Sequence, residues 1–397
     1  MSTYHLQTAD DEAVVAPRRA VILPLDPLLT LAVLGLALCS VYTLRDASRY
    51  DIPGQPMFYA NRQAIYLIAG GVLMLGLSRF DYSRLREFKY GVYGLLLASI
   101  LAVLGLGQAA RGSQRAINLP LFSFQGSEVG KVLLILALSA FAVDRSRRLS
   151  ERDTTARVML LALGPAMLVI AQPDLGSGMV YVIIALATLF VAGTSWTHFS
   201  ALLALGAVAV TLVLVAAPAA GVHVLKPYQL DRLTAFLHPT NNAAKQGYQQ
   251  NQSKIAIGSG QKTGRGSQAS QTRYNFLPEH RTDFVFAAVG EQYGFVGAAL
   301  VLSLYALLIW RALRILTMAK NLFGSLVAGG IVAMLMFQVF VNVGMTVGIM
   351  PITGVTLPLL SYGGSSVITT MLAIGLLQSI YLQARVAAAT KGRILRF

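Results

Sequence analysis

Leu277 to Gly297 reads LPEHRTDFVFAAVGEQYGFVG, a polar, charged run that turns directly into an apolar one. It holds three carboxylates, Glu279, Asp283 and Glu291. Asp283 stands where the apolar run Phe284–Val289 begins, so its carboxylate lies at the edge of a low-dielectric region. Burial disfavours the ionised form and moves a carboxyl toward the working pH, a condition for general-base chemistry. Thr282-Asp283 ahead of an apolar run equally fits a helix N-cap.

Other chemistry-bearing residues are dispersed. In Phe124–Lys131, FQGSEVGK, Glu128 and Lys131 are three apart and share a helix face, with Gln125 and Ser127 beside them. Such charges are costly in lipid and face a bundle interior or a wet cavity. The pair reads either as a structural ion pair or as a polar wall in which Lys131 meets an anion such as pyrophosphate. Asp174, in Gln172-Pro173-Asp174-Leu175-Gly176, fits a helix cap. Met350–Ser366, MPITGVTLPLLSYGGSS, is too broken by Pro and Gly to be one helix. Irregular backbone at membrane depth is tolerated where protein buries it or where it lines a cavity. Ser361, Tyr362, Ser365 and Gly363-Gly364 would then offer hydroxyls and amides to a ligand; the competing reading is a re-entrant plug. The stretch GSGQKTGRG, Gly258–Gly266, resembles a phosphate loop, but Gln261 precedes Lys262 where a Walker motif needs Gly. Glycine-rich backbone of this kind can still approach a phosphorylated ligand.

The elements that must position these residues follow from composition. The chain has 397 residues, 55% hydrophobic and only 12% charged, with a mean hydropathy of +0.61; soluble proteins carry about 25% charged residues. This is the composition of an integral membrane protein. A net charge of +15 does not point to nucleic acid, because the basic residues are scattered between apolar runs. The single Cys39 excludes an intramolecular disulfide and a thiolate cluster, and the five histidines lack metal-ligand spacing. No cleaved signal peptide is read in the first residues.

Ten apolar segments suit membrane helices of about 20 residues each: Leu25–Leu44, Gln63–Leu77, Tyr90–Leu106, Ser127–Val143, Val158–Ala171, Leu175–Gly193, Phe199–Ala219, Phe284–Trp310, Leu322–Val347 and Ser366–Leu382. No strand alternation of an outer-membrane barrel appears. The expected fold is an all-α polytopic membrane protein with ten transmembrane helices and a long extracytoplasmic loop, 221–283, between helices 7 and 8. Around the domain 25–382 lie an N-terminal tail, 1–24, and a basic C-terminal tail, 383–397. With Met1 inside, the inner segments carry 18 Lys and Arg and the short outer loops 5, so the positive-inside rule puts both termini in the cytoplasm. The polar stretches 107–125, 172–174, 221–283 and 348–365 then all face outside, away from cytoplasmic ATP, which disfavours a nucleotide-driven pump.

LPEHRTDFVFAAVGEQYGFVG, FQGSEVGK, QPDLGSG, QSKIAIGSG and MPITGVTLPLLSYGGSS, in this order, resemble the SEDS (shape, elongation, division and sporulation) family over roughly Leu28 to Leu382. The resemblance implies a peptidoglycan glycosyltransferase of the bacterial cytoplasmic membrane. It would polymerise lipid II at the outer face, with a class B penicillin-binding protein as transpeptidase partner within the elongation or division machinery. It makes Asp283, in the TDF triplet, the catalytic residue. From the SE-x-x-K pattern it carries over Glu128 and Lys131 as cavity residues; with Gln125, Ser127, Asp174, Arg232, Lys254, Ser361 and Tyr362 they are the expected substrate contacts, with a divalent cation (Mg or Mn) as a further expectation and no dedicated metal cage. The SEVGK form and short basic tail resemble the elongation (RodA-like) branch more than the division (FtsW-like) one. Gly126 stands where members commonly have Pro, and the order His280-Arg281-Thr282 departs from the family's His next to Thr. A lipid II flippase and a non-catalytic scaffold are the competing classes. A flippase would need alternating access, yet the halves show no obvious inverted repeat.

Overall fold

The computed structural model describes residues 25–107, 109–110, 113–114, 116–118, 122–148, 151–219, 221, 229–230, 232, 236 and 246–394. The expected tail 1–24, residues 395–397 and most of 220–245 lie outside the described residues. The chain is a polytopic helical bundle of α1 (Pro27–Ala47), α2 (Phe58–Arg79), α3 (Lys89–Leu106), α4 (Gly126–Asp144), α5 (Arg152–Ala171), α6 (Leu175–Val191), α7 (Trp196–Thr211), α8 (Gln246–Gly260), α9 (Val285–Met318), α10 (Leu322–Val347) and α11 (Gly364–Ile394). Among the described residues nine helices are long and apolar enough to cross a membrane, α7 being counted through Ala216; Leu175–Val191 is apolar but shorter. The strands described are four two-residue pieces in two antiparallel hairpins, one pairing Ile117 with Phe124 and Asn118 with Ser123.

Local chemistry sets the helix ends. Asp26 caps α1 by accepting from the Leu29 N–H at 2.9 Å, ahead of Pro27 in the first turn. Asn321 caps α10, which closes on Gly348 in the left-handed conformation at φ 87°. Helices α4, α10 and α11 form the buried centre, α11 packing along α2 and α10 against α6. Helix α7, continued by a π-helical turn over Leu212–Ala216, holds no buried residue. At one end of the bundle, buried Asp26 accepts from the Arg311 Nε at 3.1 Å and its N–H donates to Gln378 at 2.7 Å, which ties α1, α9 and α11 together.

The basic stretch after Leu382 continues α11 helically to Ile394. One expectation changes. The eighth expected span is not one straight helix, because Gly294 sits inside α9 at φ 63°, ψ −158°. The break frees backbone donors and acceptors, which membrane helices must satisfy from neighbouring protein. Here the glycine-rich stretch after α8 supplies them: Phe295 N–H donates to Gln261 O at 2.8 Å, Val296 N–H to Lys262 O at 3.1 Å, and Arg265 N–H to Glu291 O at 2.8 Å. Gly258–Gly266, read from the sequence as phosphate-loop-like, is thus a backbone dock for the kinked helix. A Cβ on Gly264 (φ +87°) would meet Gln292 O at 2.1 Å.

Gly264→Ala therefore combines an unfavourable φ with a backbone clash. It should cost about 1–3 kcal/mol, read as a lower thermal unfolding midpoint of the detergent-solubilised protein.

Candidate functional site

A cavity of about 810 Å³ opens where several irregular segments meet. Its wall takes Arg62 and Tyr66 from α2, Gln125 and Glu128 from the start of α4, Asp174 from the start of α6, Arg232, the turn Glu279–Asp283, Gly354, and Tyr362 to Ser366 leading into α11. Four carboxylates (Glu128, Asp174, Glu279, Asp283) and two guanidinium groups (Arg62, Arg232) share this space. The first turns of α4 and α11 contribute to the wall, and so does the N-cap residue of α6. Their N–H groups lack intrahelical acceptors and carry the positive ends of the helix dipoles, so they favour anionic ligand groups.

Asp283 does not cap a helix. Helix α9 starts at Val285, with Phe284 as its N-cap residue and no side-chain cap. Asp283 instead lies in a turn whose backbone is fastened from two sides. Thr282 and Phe284 N–H donate to Glu279 O, each at 3.1 Å, and the buried Asn342 amide donates to Asp283 O at 2.9 Å and Val355 O at 2.7 Å. Ser361 Oγ donates to Thr282 O at 2.6 Å while accepting from Leu357 N–H at 2.8 Å, and Tyr362 N–H donates to Arg281 O at 2.8 Å. Gly354, at φ +76°, keeps space open next to the carboxylate: a Cβ there would lie 3.5 Å from Asp283 Oδ2 and 3.8 Å from Arg232 Nη1. Asp283 and Arg232 thus border the same gap.

The loop 348–363 both packs and lines. Its carbonyls at Leu360 and Ser361 accept from Ser40 Oγ at 3.0 Å and Gln63 Nε2 at 3.2 Å, and Pro358 O accepts from Tyr305 Oη at 2.6 Å. Tyr362 stands edge-on to Tyr59 with ring centroids 5.1 Å apart. Burial, with Tyr66 alongside, pushes its hydroxyl up to about 12, so it remains a neutral O–H donor at physiological pH.

The other anticipated residues divide by role. Asp174 does cap α6, accepting from Ser177 N–H at 3.1 Å, and its second oxygen accepts from Ser127 Oγ at 2.9 Å and Gln125 Nε2 at 3.1 Å. Glu128 and Lys131 form a buried ion pair at 2.6 Å; Glu128 borders the cavity and Lys131 stands behind it. Ser127 is buried behind the wall in the same way. Two more residues do not reach the cavity wall. Ser361 is occupied in fastening the loop to the Thr282 turn, and Lys254 is exposed on α8, its side chain lying over Gly348. His280, fully buried, has Nδ1 2.9 Å from Leu277 O and Nε2 3.2 Å from Asp51 Oδ2, while the Arg281 guanidinium covers the Tyr59 ring at 4.1 Å. The His-Arg order therefore serves to anchor the turn to the 48–57 segment. Glu291 is also structural, accepting from Gln271 and Thr272 N–H at 2.7 and 3.0 Å.

Sequence reasoning passed over Arg62, Tyr66, Gln63 and Asn342. Asn342 and Gln63 are polar residues inside apolar spans, which was the available signal. Among the described residues no group of three or more His, Cys, Asp or Glu could hold a metal ion. Hard divalent cations with phosphorylated ligands need only one or two carboxylates besides the phosphates.

Residues 25–386 match the FtsW/RodA/SpoVE family of cell cycle proteins. The chain is 37% identical over 379 residues to the "Probable peptidoglycan glycosyltransferase FtsW" of Thioalkalivibrio sulfidiphilus (strain HL-EbGR7), covering 91% of this chain and 92% of that one. It is 35% identical over 358 residues to the peptidoglycan glycosyltransferase MrdB of Escherichia coli (strain K12), covering 90% and 93%. These identities lie too close together to assign a branch. A chain in a solved structure on the coordination of polymerization and crosslinking by a peptidoglycan synthase complex superposes with a TM-score of 0.76 at 31% identity, over 91% of this chain and 98% of that one.

Two stability experiments test the construction. Asn342→Leu leaves two buried carbonyls without their donor and should cost about 1–3 kcal/mol for each, measured by thermal unfolding in detergent. Lys131→Met alone strands a buried carboxylate and should cost about 3–5 kcal/mol, most of which the double variant Glu128→Gln/Lys131→Met recovers.

Proposed function

This chain belongs to the FtsW/RodA/SpoVE family, and from that premise we propose that its cavity is the active site of a peptidoglycan glycosyltransferase in which Asp283 is the general base. The substrate is lipid II, polymerised into glycan strands. Asp283 accepts the proton of the acceptor sugar's 4-hydroxyl as that oxygen attacks the donor's anomeric carbon; the bond from that carbon to the lipid pyrophosphate breaks, and the pyrophosphate leaves with its electron pair. Arg232, across the Gly354 gap, and Arg62 stabilise the departing charge together with the helix N-termini that line the wall. The observation that carries this reading is the turn geometry. Asn342 holds the backbone of Asp283, which does not cap α9 and lines the cavity together with Arg232.

The donor's phosphate ester drives the reaction, which suits an outward-facing site remote from ATP. Both termini are then cytoplasmic, as the Lys and Arg distribution supports, in the bacterial cytoplasmic membrane. The structural relative's synthase complex supports a class B penicillin-binding protein as partner for crosslinking, within the elongation or division machinery.

The test is lipid II polymerisation by the purified protein, co-expressed with its penicillin-binding partner, in moenomycin to silence classical glycosyltransferases. Wild type should yield glycan strands, and Asp283→Asn should lower the rate by about 10²–10⁴-fold with complex formation intact. Activity close to wild type in Asp283→Asn would refute the general-base role. No strands from wild type with verified lipid II would transfer the reading to the flippase or scaffold.

A further inference from the structure

At a helix-end surface outside the active-site cavity, a second cavity of about 560 Å³ is lined by Arg86, Asp144, Arg145, Ser146, Arg147 and Arg148, at the junction of the 82–86 turn with the end of α4. Four arginines face one carboxylate there, and that carboxylate is already answered: Asp144 accepts from Arg86 at 2.8 Å and pairs with Lys89. Arg145 shares Asp153 at 3.3 Å, and Arg148 lies 3.8 Å from Glu151 with both side chains more than half exposed, a pair worth little. Arg147 has no ion pair among the described residues. The negative end of the α4 dipole offsets about half a charge, which leaves an excess of positive charge around a concave space.

The surroundings are those of a lipid. Phe88 and Tyr90, on either side of Lys89 at the start of α3, are 64% and 80% exposed, so a basic cavity adjoins apolar and aromatic side chains at the end of a membrane helix. A soluble anion would use the charge alone; a phospholipid uses both features. We propose that this cavity binds the phosphate headgroup of an anionic phospholipid, whose acyl chains lie along α3. In the orientation above it faces the inner leaflet, and the assignment is independent of the glycosyltransferase reading.

The experiment is lipid retention by the full chain, delipidated in nonionic detergent and offered phosphatidylglycerol or phosphatidylcholine with identical acyl chains, counted by native mass spectrometry. Wild type should retain phosphatidylglycerol preferentially. Each arginine removed should lower that preference about fivefold, so Arg145→Gln/Arg147→Gln/Arg148→Gln should lose it about a hundredfold. The corresponding Arg→Lys triple variant, with an unchanged melting midpoint, should keep most of it, as should Arg314→Gln/Arg385→Gln, which leaves the cavity intact. Equal retention of the two lipids, or a preference unaltered by the Gln triple variant, would overturn the proposal. Displacement of the lipid by glycerol phosphate at equal concentration would assign the cavity to soluble phosphate instead. Saturable binding of a polyglutamate peptide without lipid preference would assign it to an acidic polypeptide, and either result overturns the lipid assignment.

Discussion

One amide holds the functional end of this protein together. The Asn342 side chain, buried in α10, donates to the carbonyls of Asp283 and Val355, joining the turn that precedes α9 to the loop that precedes α11. Backbone outside regular helix is permitted at membrane depth only if each polar group finds a partner. Ser40, Gln63, Tyr305 and Ser361 complete the accounting for residues 357–363 and the Thr282 turn. The irregular segments thereby become rigid. A side chain on such a backbone keeps its orientation, which one on a wandering loop loses.

Ionised groups follow the same economy. The Glu128–Lys131 pair answers its own charge inside α4 and exposes one member to the cavity. Asp174 serves as helix cap with one oxygen and as acceptor for Ser127 and Gln125 with the other. Desolvated charges cost several kcal/mol unless paired or hydrogen-bonded, so carboxylates at the cavity rim are fixed by helix ends. The same helix ends border the cavity, so capping residues also line it at α4 and α6.

Glycine solves a different problem at α9. The break at Gly294 lets the helix change course, and the backbone of 261–265 substitutes for the lost intrahelical bonds. Only residues without a Cβ permit such an approach, as the close contact of Gly264 with Gln292 O demonstrates. A stretch whose composition suggests phosphate binding is consumed in packing.

The sequence by itself determined the class of the molecule, the positions of most of its apolar spans and the helix-end role of Asp174, because hydropathy, turn residues and caps act over a few neighbouring positions. Tertiary structure alone decided which polar residues face the cavity. Ser361 shares a motif with cavity residues, yet it is bound to the Thr282 carbonyl, and Lys254 lies exposed over Gly348. Arg62 and Asn342, in segments that read as an outer loop end and an apolar span, prove to be wall and clasp. The clasp joins Asn342 to Asp283, 59 residues away in the chain, and a pairing over that separation is fixed by how helices pack, which local composition does not encode.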